Sequence, residues 1–220
     1  MRQRIENFCR EFDYPQPAIE ALLQGWNAVE ASPSAQKQFL TLLNDYETDR
    51  VEDYSKLIYA GTDCGDLCGI SGYTTVFLLL ACMTDHAHTL YRKQGISDEI
   101  FHDTFSDLKW KLLECKKVKD VWGTFVAGWY PRFYQLTRFA LGRLQFETIP
   151  CPFSYEKNGK TVQEGETALN VHIPSCGPLD HTLCIDSYRK AASFYQKEFN
   201  GRPYICSNNT IYGTQFKNYP

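Results

Sequence analysis

Three things are missing from this 220-residue chain, and each absence removes a class of function. There is no excess of positive charge: 23 Lys and Arg face 26 Asp and Glu, for a net charge of −3. Binding a run of phosphates draws chiefly on Lys and Arg, so nucleic acid is not an expected partner. There is no membrane-length apolar run. The longest, VFLLLACM at 76–83, falls far short of the ~20 residues a spanning helix needs. The N-terminal MRQRIENFCREFDYP carries charge throughout and has no hydrophobic stretch of the signal-peptide kind. Nor is there a regular cysteine framework. The nine cysteines are odd in number and scattered, and without an export signal they are expected as reduced thiols packed as small hydrophobes in a cytoplasmic protein. No repeat or low-complexity tract appears. What remains is an ordinary globular composition, long enough for one large domain or two small ones with real cores.

The hydrophobic patterning divides the chain. Residues 1–125 carry helical signals almost throughout. QPAIEALLQGWNAVE sets Ile19, Leu22, Leu23 and Trp26 on one stripe behind Pro17. SPSAQKQFLTLLNDYE opens with Ser32 as N-cap and Pro33 at the first helical position, and its inward residues are Phe39, Leu42, Leu43 and Tyr46. SGYTTVFLLLACMTDHAHTLYRKQG reads as a long buried helix closed by basic residues and Gly95. SDEIFHDTFSDLKWKLLECKK starts at Ser97 with two acids in its first turn. From about residue 126 onward the period shortens. GRLQFETI alternates, with Leu144 and Phe146 against Arg143, Gln145 and Glu147, and ALNVHIP sets Leu169, Val171 and Ile173 against Asn170 and His172. Asn158-Gly159 between strand-like flanks predicts a type I′ hairpin. DHTLCIDSYRKAASFYQKEFNG predicts a helix capped near Asp180 and ended by Gly201, and PYICS a last strand. The expectation is an α+β protein, helical over 1–125 and sheet-containing over 126–220.

RFALGRLQFETIP, followed by ALNVHIPSCGPLDHTLCIDSYRKAASFY, resembles the C-terminal domain of a bacterial family of acyltransferase domain-containing proteins. GISDEIFHDTFSDLKWKLLE and VWGTFVAGW are similar to the segment joining that family's two domains. The resemblance runs from about residue 70 to 200. It implies a helical N-terminal domain followed by a partial GNAT-like mixed sheet with a packed helix, and acyl-CoA as co-substrate for transfer to an amine. Against the wider acetyltransferase pattern, the Arg/Gln-x-x-Gly-x-Gly/Ala diphosphate loop is missing, TRFALGRL offering one glycine. After RPYICSNNTIYGTQFKNYP the chain reads as short of the family's further strands. Both features suit the alternative, a non-catalytic ligand-binding or assembly module that keeps the fold.

Amine acylation requires a base for the acceptor and donors for the thioester carbonyl. If the two alternating strands are neighbours, Glu147 and His172 are the candidate bases. Arg143, Gln145 and Asn170, on the same side, are then the candidate cofactor-binding residues. The bland alternatives are a solvated sheet face or a buried Arg143–Glu147 ion pair. Two other constellations are weaker. Cys176 lies between His172 and His181 at a strand-to-helix junction, the kind of place where a thiol can be activated, but an incidental loop thiol is the simpler reading. Cys64, Cys68, Cys82 and His86 could in principle close a tetrahedral zinc site; no metal is expected. WGTFVAGWYPRFY could line an acyl pocket or serve as aromatic core.

Overall fold

The structure, a computed structural model, describes residues 1–157, 159–199 and 206–207. It divides into two compact units, Met1–Leu136 and Thr137–Pro220. The first holds helices α1 (Arg2–Glu11), α2 (Gln16–Ala31), α3 (Pro33–Glu47), α4 (Tyr54–Cys68), α5 (Gly72–Lys93) and α6 (Asp98–Lys119). A 3-10 turn at Ala127–Trp129 and the short α7 (Pro131–Tyr134) complete it.

The caps predicted from sequence set the helix starts. Ser32 accepts from the Ala35 amide and Ser97 from the Ile100 amide, each satisfying a donor the helix itself leaves open. Gly95 takes the positive φ of 72° that ends α5 cleanly. The centre of this unit is α5. Every residue from Thr75 to Thr84 is buried, so this stretch is apolar on all sides rather than along one stripe. Part of the enclosure comes from an unusually close pass of α4. A side-chain carbon on Gly65 would meet the Gly72 nitrogen at 2.6 Å and its Cα at 2.7 Å, so backbone touches backbone where the two helices meet. Tyr134 closes another side, its hydroxyl donating to the Leu80 carbonyl at 2.6 Å.

The second unit contains β1 (Arg138–Leu141), β2 (Leu144–Pro150), β3 (Tyr155–Lys157), β4 (Lys160–Val162), β5 (Thr167–His172), α8 (His181–Phe194), α9 (Gln196–Phe199) and β6 (Cys206–Ser207). The main sheet is ordered β1-β2-β5-β6, antiparallel except for the parallel β5–β6 pair, and is therefore mixed, as the resemblance implies. β3 and β4 form a separate two-stranded ribbon with Lys157 opposite Lys160. The predicted type I′ turn between them rests on Asn158, which lies outside the described residues. So do Gly201 and most of PYICS, of which Cys206 and Ser207 are described.

One face of the main sheet carries Phe139, Leu144, Phe146, Leu169 and Val171, and α8 packs on it. Phe139 meets the Phe194 ring, Phe146 meets Tyr188, and Ser187 accepts from the Leu144 amide at 3.2 Å. The helix expected to continue to Gly201 instead breaks at Tyr195. That side chain is buried and donates its hydroxyl to the Phe146 carbonyl at 3.2 Å, while α9 restarts at Gln196.

Candidate functional site

The second face of the sheet carries the polar residues, and strand register decides which of them meet. β1 and β2 are joined by a two-residue turn, Gly142-Arg143, with φ of 79° at the glycine. From there the antiparallel ladder places Arg138 opposite Glu147, and Glu147 opposite Asn170 on β5. One step along, Gln145 lies opposite His172. Directly opposed residues share a face, so Arg138, Glu147, Asn170, Gln145 and His172 project to one side.

Contacts follow the register. The Glu147 carboxylate accepts from Arg138 through Oε2, at 2.8 Å from Nε and 2.7 Å from Nη2. Through Oε1 it meets Asn170 Nδ2 at 3.0 Å and His172 Nε2 at 2.9 Å. Burial raises the Glu147 carboxyl pKa. The His172 hydrogen bond, the Arg138 charge and the Asn170 amide more than offset that, bringing it from 4.5 down to about 2. Glu147 is thus an ionised acceptor at neutral pH, and the His172 ring must present an N–H at Nε2 to bond it. The 3.2 Å approach of Asn170 Nδ2 to that same nitrogen sets two donors side by side, each serving Glu147, and is not a bond between them. With Nε2 carrying the proton, the lone pair of a neutral imidazole is on Nδ1.

The alternating polar face is not solvated. Gln145 is 1% exposed, and Glu147 and Asn170 are each 3% exposed. The buried ion pair exists, but its cation is Arg138 rather than Arg143. Arg138 is not among the residues expected from the strand alternation, yet counting outward from a two-residue Gly142-Arg143 turn pairs it with Glu147. Among the described residues, two acceptor atoms of the group, Gln145 Oε1 and Asn170 Oδ1, are buried without a hydrogen-bond partner.

Arg143 stands apart from this cluster. Its guanidinium donates to three backbone carbonyls of the loop after β5, those of Pro174 at 3.1 Å, Pro178 at 3.0 Å and Gly177. Its donors therefore brace the strand-to-helix junction instead of joining Gln145 and Asn170. The N-terminus of α8 that follows is occupied by Asp180, whose carboxylate accepts from the Leu183 amide at 2.9 Å. Cys176 sits in the braced loop and makes no hydrogen bond to His172 or His181 among the described residues.

The zinc constellation does not assemble. Cys64 and Cys68 are one turn apart on α4, with Cys68 Sγ donating to the Cys64 carbonyl at 3.1 Å. Cys82 is sealed inside α5, and burial pushes its thiol up to about 12. No group of three or more His, Cys, Asp or Glu placed to hold a metal ion occurs among the described residues. Part of the aromatic segment does line a cavity. Tyr59, Thr62, Tyr73, Phe125, Val126 and Trp129 border a space of about 370 Å³ in the helical unit, within the size range of small-molecule sites. The rest, including Tyr130, Phe133 and Tyr134, is core. No helix among the described residues is long and apolar enough to cross a membrane.

Comparison with known proteins bears on most of the chain. Residues 3–136 match the N-acyltransferase N-terminal domain family, and residues 138–209 match the GNAT-like C-terminal domain. Among curated proteins none matches the chain. Among solved structures, an acyltransferase in complex with decanoyl-CoA superposes with a TM-score of 0.63 at 17% identity, over 92% of this chain and 60% of that one. A mutant acyltransferase in complex with octanoyl-CoA gives 0.62 at 16% identity, over 94% and 61%. An acyltransferase in complex with decanoyl-CoA and teicoplanin gives 0.61 at 17%, over 92% and 60%. At such identities the likeness is one of fold, and the chain spans about three fifths of the length of these neighbours.

Proposed function

We propose, since the chain belongs to the N-acyltransferase family with a GNAT-like C-terminal domain, that it moves an acyl group from a coenzyme A thioester to an amine. The observation that carries this reading is the 2.9 Å contact between His172 Nε2 and an ionised, buried Glu147. A carboxylate that holds one imidazole nitrogen as a donor leaves the other as the basic one and stabilises the imidazolium once a proton arrives. His172 is therefore the base in this reading. Glu147 is its orienting partner, because a carboxyl with a pKa near 2 is a poor proton acceptor at neutral pH. Arg138 supports the carboxylate.

The chemistry balances without further reagents. The acceptor nitrogen attacks the thioester carbonyl and forms the C–N bond, and His172 takes the proton that the nitrogen sheds. The C–S bond then breaks, and the same proton leaves with the thiolate as coenzyme A thiol. An acyl donor and a small amine acceptor are the partners. The reduced thiols suit the cytoplasm. Arg143 serves the site indirectly by fixing the loop after β5.

The test uses purified protein and octanoyl-CoA as donor. A ligand that binds the folded state alone raises apparent stability, so the donor is expected to raise Tm. Mass spectrometry should find an octanoyl amide with a primary amine, and that product should fall at least about a hundredfold in His172→Ala, as for loss of a general base. No Tm shift at saturating donor, or an undiminished His172→Ala enzyme, would leave the fold serving as a non-catalytic scaffold.

A further inference from the structure

The helix α6 carries apolar groups on more than one side. Phe105, Leu108, Leu112 and Cys115 belong to its buried stripe. Trp110 and Leu113 lie off that stripe and are partly exposed, and Val118 is 59% exposed. Lysines are interleaved with them. Residues 109, 113, 116 and 117 follow the i, i+4, i+7, i+8 spacing of one helix face, so Lys109, Leu113, Lys116 and Lys117 share the outward side, with Trp110 at its border. Five lysines against one glutamate and one aspartate give residues 109–122 a net charge of +3, in a chain whose total is −3. Three of these cations lie over aromatic rings. Lys109 Nζ is 5.7 Å from the Trp110 ring centre, Lys116 Nζ 5.4 Å from that of Trp122, and Lys119 Nζ 5.9 Å from that of Phe125. The segment bearing Trp122 is pinned to α5, its carbonyl accepting from Thr74 Oγ1 at 2.9 Å and the Thr124 amide donating to the Tyr73 carbonyl at 3.0 Å.

We infer that this face docks the protein on an anionic lipid bilayer, with Lys109, Lys116, Lys117 and Lys119 among the headgroup phosphates and Trp110, Leu113 and Val118 at the edge of the acyl chains. The inference goes beyond acyl transfer and does not depend on it. Charge complementarity names the sign of the surface, since each basic residue close to an anionic leaflet is worth about fivefold in partition. The interleaved apolar groups name its kind. Tryptophan favours the layer between headgroup and hydrocarbon, and aliphatic side chains gain there by leaving water. Lysine stems cover apolar surface while the ammonium stays with the phosphates. Nucleic acid offers bases on which tryptophan stacks, but no apolar layer for Leu113 and Val118. An acidic protein needs a surface of matching shape, whereas a fluid bilayer moulds itself to the outward side of a helix.

The experiment is co-sedimentation of the purified protein with vesicles of phosphatidylcholine alone, or of phosphatidylcholine with about a third phosphatidylglycerol. Wild-type protein should bind the anionic vesicles at about 0.1 M salt, ignore the neutral ones, and release at about 0.5 M, where screening shortens the reach of the charges. Lys117→Gln with Lys119→Gln removes two charges at exposed positions. It should leave Tm unchanged and weaken partition by about 25-fold. Val118→Ser should weaken partition several-fold and keep the salt dependence of wild type, because it removes apolar contact and no charge. No binding to anionic vesicles, equal binding to both kinds, or undiminished binding by the double variant overturns the inference. So does binding of poly-glutamate or single-stranded DNA through the same lysines with none to vesicles, which would give the face to an acidic macromolecule.

Discussion

Replacing Glu147 with Gln keeps the size of the side chain and removes one charge, and the structure gives the size of the effect in two ways. Glu147 and Arg138 are an ion pair with side chains 4% and 6% exposed. Removing one partner of a buried pair costs about 3–5 kcal/mol, because the charge that stays behind has lost its counterion. The second route is the proton. A carboxyl brought from 4.5 to about 2 is stabilised by roughly 3 kcal/mol when ionised. The folded-state pKa is the lower one, so this stability is fully present above the unfolded value of 4.5. It is lost as pH falls toward 2. By pH 3 it has shrunk to about 1 kcal/mol. Glu147→Gln should therefore be about 3 kcal/mol less stable than wild type in urea unfolding at pH 7, and the gap should close by more than half at pH 3. A gap under about 1 kcal/mol at pH 7, or one that does not change with pH, would refute the idea that the carboxylate is ionised and paired as described.

Other perturbations probe other links. Gly65→Ala should unfold at lower denaturant by roughly 1–3 kcal/mol, since its new carbon would press on the Gly72 backbone at 2.6–2.7 Å; an unchanged midpoint would show that α4 and α5 do not pass so closely. Arg143→Met should raise hydrogen exchange across the 174–180 loop and into the first turn of α8, and Arg143→Lys should rescue little, because one ammonium cannot span three carbonyls. Exchange as slow as in wild type would mean that the loop is held by something else. Thiol labelling of native protein should reach Cys68, Cys176 and Cys184 and spare Cys9, Cys64, Cys82, Cys115 and Cys151, which are buried. Fast modification of Cys82 would contradict its enclosure in α5.

How much of this was legible beforehand depended on how local each feature is. Ser32 and Ser97 announce helices because a cap acts within three residues, and α5 is visible because its apolar run and its basic, glycine-closed end agree. The alternation in β2 and β5 correctly sorts Leu144 and Phe146 from Gln145 and Glu147. Alternation says which residues share a face, however, and not what covers it, so the burial of Gln145 and Asn170 could not be read from the strands. The diversion of Arg143 was invisible for another reason. Its partners are backbone carbonyls, which every residue possesses and no sequence marks. Cys64 and Cys68 suggested ligands through their spacing, which is also that of two residues stacked along a helix. The break at Tyr195 comes from a hydroxyl reaching a carbonyl 49 positions earlier, with nothing in the local pattern to announce it.

The polar face is assembled from pieces of unequal reach. Arg138 and Glu147 are nine positions apart and meet within one hairpin, whereas Asn170 and His172 join from 23 and 25 positions beyond the carboxylate. Short-range pairings close at lower entropic cost than long ones. An intermediate with the hairpin formed and β5 still detached would already own its counterion yet possess no imidazole. The polar cluster would then be completed last, by the docking of a single six-residue strand.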